Sequence, residues 1–198
     1  MKLLFTAICT MCSLLSKGST LDTLLNLAEN HHQIAKTITL LGPSASVITR
    51  IPCISPLYPD DLRRIPVSSY YGRRIHPLLH EYKHHSGIDL PGNMGEPVHA
   101  AADGVIIETG ETPIIGMFIR IRHAYGFSTL YGHLSKIEVM RGDTIHIGQM
   151  IGKVGNTGRS TGPHLHYGIS KNGREQDPLP YCYLYFQWQK MLKREGKR

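Results

Sequence analysis

From Ile65 onward the apolar residues fall in short runs broken by glycine-containing turns. Residues 98–101, 105–108, 117–122, 128–133, 150–154 and 164–170 each read as a strand, and no long helical pattern intervenes. The pattern predicts an all-β domain, a mostly antiparallel sandwich or open barrel. Upstream, Leu21, Leu24, Leu25, Ala28, Ile34 and Ile38 recur at helix-like intervals. Residues 42–61 are rich in proline and serine, open on Gly42, and read as a linker or surface wrap. The stretch after Pro180 reads as a basic helix, so the β core carries helical N- and C-terminal extensions. The boundaries expected are 1–18 for a leader or anchor, 19–61 for a helical segment and linker, 62–181 for the main domain and 182–198 for a basic tail.

The strand at 164–170 carries the most informative chemistry. Strand side chains alternate faces, so His164 and His166 share one side, about 7 Å apart, while Leu165, Tyr167 and Ile169 share the other. An apolar face on the core and a histidine face toward a cleft is what a metal site needs. Upstream, His85-Ser86-Gly87-Ile88-Asp89 offers an imidazole and a carboxylate. A straight strand would hold positions 85 and 89 about 13 Å apart, so the chain must bend between them, and Gly87 allows it. Three such donors with one open position describe a catalytic zinc rather than a structural one. Spacing alone leaves open which of His164 and His166 is the ligand. The loop 155–163 is glycine-rich, but no Gly-Lys-Ser/Thr follows at phosphate-loop spacing.

Several further motifs stand in order around these residues. They are Tyr71-Gly72-Arg73-Arg74-Ile75-His76-Pro77, residues 95–105 (GEPVHAAADGV), Leu130-Tyr131-Gly132-His133-Leu134-Ser135, residues 155–166 (GNTGRSTGPHLH) and Asp177-Pro178. Together with His85 to Asp89 they resemble the lysostaphin-like, or LytM-type, zinc endopeptidases that cut peptidoglycan peptides, over about residues 65–181. The resemblance implies that His85, Asp89 and His166 are the Zn2+ ligands. It implies that His133 and His164 are catalytic histidines outside the ligand set, and that Arg74 and Tyr131 line the substrate cleft. No His-Glu-x-x-His helix supplies a glutamate base, and histidine suits that work because its ordinary pKa lies near neutrality. His76, His123 and His146 read as surface or loop residues. Two other readings stay open: a non-catalytic regulator of a cell-wall amidase, and a wall-remodelling part of a secretion, conjugation or phage apparatus.

Composition changes this picture little. The 198 residues are 41% hydrophobic, enough for a core, and the formal net charge is +7. No nucleic-acid motif with interleaved aromatics accompanies that charge, which points to an anionic wall polymer or to a solvated basic tail. Lys2 and the apolar run of residues 3–15 resemble a secretory signal or a membrane anchor, implying an exported protein. Without that segment Cys53 and Cys182 remain, and an exported pair is a candidate disulfide.

Overall fold

A computed structural model describes residues 17–42, 44–58, 65–75 and 81–195. The expected leader or anchor of residues 1–18 lies outside the described residues, apart from Lys17 and Gly18, which begin the first helix. Among the described residues no helix is long and apolar enough to cross a membrane.

The strands are β1 (Gly72–Ile75), β2 (Tyr82–His85), β3 (Ile88–Pro91), β4 (Pro97–His99), β5 (Gly104–Thr112) and β6 (Gly116–Arg122). They continue with β7 (Phe127–Ile137), β8 (Thr144–Ile145), β9 (Met150–Val154), β10 (His164–Lys171) and β11 (Arg174–Gln176). All the pairings are antiparallel. β1 and β2 form a separate two-stranded sheet, and the other nine join one sheet whose main path runs β11-β10-β7-β6-β5-β8. The mostly antiparallel β architecture expected from the alternating runs is the one observed.

β10 is the hinge of this arrangement, with β7 along one edge and β3 then β11 along the other. Residues directly opposite in an antiparallel pair share a face. Leu165 faces Leu90, and Tyr167 faces both Ile88 and Tyr131; all five are fully buried. On the other face, His166 stands opposite Asp89 of β3 and Gly132 of β7. Register alone therefore brings parts of the chain 77 residues apart into one transverse row.

Helices close the apolar side. α1 (Lys17–Leu27) and α2 (His31–Leu41) bury Leu21, Leu25, Ile34 and Ile38. The break between them is written locally: the Asn30 side chain caps α2 by accepting from the Gln33 N–H at 3.1 Å, and Gly42 ends it in the left-handed region. α3 (Ala45–Ile48) is a single turn, followed later by α4 (Leu179–Cys182) and α5 (Leu184–Glu195).

Two parts of the sequence reading need correction here. Residues 51–57 are buried throughout, not a linker or surface wrap. Ile51, Cys53, Ile54 and Leu57 supply apolar surface, and Pro52 and Pro56 have no N–H to satisfy. The chain there bonds into the fold through Cys53 N–H to Ala101 O at 3.1 Å, His99 N–H to Pro56 O at 2.9 Å and Tyr185 N–H to Cys53 O at 3.0 Å. Residues 182–195 likewise do not stand apart as a tail: they include the helix expected after Pro180, and Cys182, Leu184 and Trp188 belong to the same core. Cys53 and Cys182 are both buried and unbridged, and burial pushes both thiols well above their ordinary pKa.

Candidate metal centre

His85 ends β2 and Asp89 lies within β3, with the turn at Ser86-Gly87 between them. Gly87 is required by space. A Cβ there would lie 2.4 Å from the Tyr167 carbonyl oxygen of β10, so only glycine lets the turn press against that strand. The turn swings His85 over the row that holds Asp89 and His166. His85 Nε2, Asp89 Oδ1 and His166 Nδ1 then lie 3.0–3.1 Å from one another.

The donor chemistry fits a cation. His85 Nδ1 lies 2.9 Å from the Tyr70 carbonyl, which can only accept, so Nδ1 carries the proton and Nε2 turns a lone pair inward. His166 Nε2 is buried without a partner among the described residues, and burial lowers the pKa of this imidazole. Burial opposes charge on Asp89 too, yet the His166 and His85 imidazoles beside it hold its carboxyl far below the usual carboxylate range. A positive centre between the three atoms satisfies all of them. Separations of 3.0–3.1 Å also approach the ~3.3 Å edge of a tetrahedron with ~2 Å metal–ligand bonds. Among the described residues these three are the group whose donor atoms converge this way.

Two more imidazoles stand beside the centre. The His133 and His164 rings meet at a tilt of 59°, with centroids 4.7 Å apart. Each is anchored by Nδ1 on a carbonyl of the 155–163 loop, His133 on Thr157 O at 2.8 Å and His164 on Gly162 O at 2.7 Å. Both Nδ1 atoms therefore donate, and both Nε2 atoms keep a lone pair. His164 Nε2 lies 3.7 Å from Asp89 Oδ1. Burial pushes the pKa of His133 down to about 4, against the pull of its bond to Thr157.

His133 reaches this position through a local irregularity. The β6–β7 register runs from Ile119↔Tyr131 to Met117↔Leu134, so β7 carries an extra residue there. His133 occupies the left-handed region at φ 60, and its N–H bonds Ile115 O at 2.8 Å. Bulges of this kind re-aim a side chain. Thr157 braces the same corner: its hydroxyl donates to Leu134 O at 2.8 Å and accepts from Met117 N–H at 3.0 Å. Neither Thr157 nor the Tyr70 carbonyl was singled out from sequence, because both act partly or wholly through backbone atoms. The only hint for Thr157 was its place in the 155–166 motif.

The centre opens into a cleft of about 210 Å³. Arg74 lines it, with Nη2 3.7 Å from Asp89 Oδ2. Tyr131 does not. It is fully buried on the apolar face, where its hydroxyl bonds the Ala101 N–H at 3.0 Å and the Thr129 hydroxyl at 3.1 Å. The bulge reverses faces between 131 and 133, so the histidine and the tyrosine cannot share the cleft. His123 is also no surface residue: it is buried, bonded to Asp103 O and Thr129 Oγ1, both at 2.8 Å. His146 is exposed, and His76 lies outside the described residues.

Residues 83–178 match the model of Peptidase family M23. The DD-carboxypeptidase/endopeptidase Mpg of Neisseria meningitidis is 48% identical over 113 residues, which are 57% of this chain and 26% of that protein. The peptidoglycan DD-endopeptidase ShyA of Vibrio cholerae is 42% identical over 117 residues, 59% of this chain and 27% of that protein. The chain thus spans about a quarter of the length of these curated relatives. The catalytic domain of the antimicrobial peptidase lysostaphin from Staphylococcus simulans aligns with a TM-score of 0.55 at 35% identity, covering 61% of this chain and 94% of that one.

Proposed function

Because this chain belongs to Peptidase family M23, we propose that it is a zinc-dependent endopeptidase that hydrolyses peptide cross-links of peptidoglycan. The observation that carries this reading is the convergence of His85 Nε2, Asp89 Oδ1 and His166 Nδ1, with two further imidazoles at its edge. Those three side chains would hold the ion. Zinc in such a site supplies a Lewis acid for the scissile carbonyl and raises the acidity of water.

The remaining work falls to the chain itself. His164 keeps a lone pair on Nε2 beside Asp89 and is less buried than His133, so it suits general base catalysis. It takes a proton from the attacking water and returns it to the leaving amine as the C–N bond breaks. His133, held neutral by burial and fixed by Thr157, accepts a hydrogen bond and orients that water. Both rings are pre-set by carbonyls of one loop, so little reorganisation accompanies the reaction.

Peptidoglycan lies in the cell envelope, which makes that the place of action. The leader or anchor expected at residues 1–18 agrees with export. Incubating purified sacculi with the zinc-loaded protein should release muropeptides cut at the cross-link. Chelation should stop the release and added zinc should restore it. Sacculi left intact by the zinc-loaded protein would overturn the reading.

A further inference from the structure

The cleft holds an unbalanced set of fixed charges. Arg74, Lys83 and Arg159 line it, and the one carboxylate among its described lining residues is Asp89. Asp89 already faces two imidazoles of the centre.

Arg74 and Lys83 stand directly opposite each other in the β1–β2 pair, so two like charges share one face. Such a pair is unfavourable to folding unless something neutralises it. Among the described residues little does. Arg74 reaches Asp89 only at 3.7 Å, and its Nε is buried without a partner there. Lys83 meets Glu81 at 3.7 Å, where both side chains are largely in water and the pair is weak. The nearby Glu175 is taken by His84 at 3.1 Å. On the same cleft, the Arg159 backbone N–H is pinned to Ile114 O at 2.9 Å, and its side chain is exposed. Three donors of one sign therefore border an opening beside the reacting centre.

A guanidinium, a neighbouring ammonium and a second guanidinium lining the same cleft match a planar anion. Resting on the endopeptidase reading, we propose that Arg74, Lys83 and Arg159 form a carboxylate subsite. The preferred substrates then carry a free carboxylate within one residue of the scissile amide. Arg74 sets that distance, because its Nη2 lies one contact from Asp89. The three cations would thus choose which cross-link is cut.

The test uses two synthetic branched peptides, identical except that one bears a carboxylate beside the scissile amide and the other a carboxamide. Steady-state hydrolysis by the zinc-loaded full chain should give a KM about tenfold lower or better for the carboxylate peptide. Lys83→Gln and Arg159→Gln should each raise KM for the carboxylate peptide and leave kcat, and all constants for the carboxamide, nearly unchanged. Calorimetric titration of both peptides into the zinc-loaded His164→Ala variant reads the same preference with turnover slowed by about 10²-fold or more. Equal KM for the two peptides, or variants that weaken both alike, would overturn the subsite and leave the peptidase reading standing. Preferential binding of the carboxylate with neither peptide cut by the wild-type protein would do the reverse.

Discussion

Tyr131 and His133 lie two residues apart on β7 and face opposite sides of the sheet. In a regular strand they would share a face. The extra residue in the β6–β7 register, with His133 at φ 60, separates them. The consequence is a division of labour: the histidine joins the metal centre, and the tyrosine hydroxyl bonds Ala101 and Thr129 within the core.

Tyr131→Phe should therefore be a stability variant. It leaves the buried Ala101 N–H without its partner and removes one of the two bonds of the Thr129 hydroxyl, at a cost of about 1–3 kcal/mol. The urea midpoint should fall, while KM for wall peptides and zinc content stay near wild type. A raised KM at unchanged stability would put Tyr131 back in the cleft.

The same strand shows where sequence reasoning succeeds and where it stops. On β10 the alternation of His164, His166 and Gly168 with Leu165, Tyr167 and Ile169 was legible, because one face is core and the other is not. On β7 the resemblance placed Tyr131 in the cleft two residues from His133, and the bulge that flips every later side chain leaves no clear mark in composition. β2 was missed because Tyr82, Lys83 and His84 are all exposed and show no apolar period. Residues 51–57 were misread because proline was taken as a sign of the surface, although a chain lacking N–H groups is easily buried. The anchoring carbonyls of Tyr70, Thr157 and Gly162 carry no side-chain signal at all.

Gly87→Ala tests the turn between two of the candidate ligands. The added Cβ would meet the Tyr167 carbonyl oxygen at 2.4 Å and the His166 ring at 3.0 Å, so backbone must move. Overpacking of this kind costs roughly 1–3 kcal/mol. Because the displaced turn joins His85 to Asp89, zinc affinity should fall together with the unfolding midpoint. Full zinc occupancy at wild-type affinity would show that the turn can shift without disturbing the donors.

His123 predicts a specific acid sensitivity away from the cleft. It is buried, and burial pushes its pKa down to about 4, against about 6.5 in the unfolded chain. The unfolded chain therefore binds the extra proton. The stability associated with neutral His123 is fully present above pH 6.5 and is lost progressively as pH falls toward 4, to the extent of about 3 kcal/mol. Urea midpoints of wild type and His123→Gln should converge as pH is lowered across that window. Parallel curves for the two proteins would show that His123 does not titrate there.

The last prediction separates holding the ion from using it. His85→Ala, Asp89→Ala and His166→Ala should each lose zinc, because three donors within 3.0–3.1 Å of one another leave no spare. His133→Ala and His164→Ala should keep it, since their anchored Nδ1 atoms face loop carbonyls. Both should nonetheless lose turnover by about 10²-fold or more, the scale of a missing general acid–base group. KM should move far less, as the lost interactions form mainly in the transition state. Metal analysis and steady-state kinetics on the same preparations decide the matter. If His164→Ala lost its zinc while His166→Ala retained it, the roles of the two histidines would be exchanged. If His133→Ala and His164→Ala both cut wall peptides at the wild-type rate, neither ring would serve the attacking water, and their anchorage on the 155–163 loop would be structural.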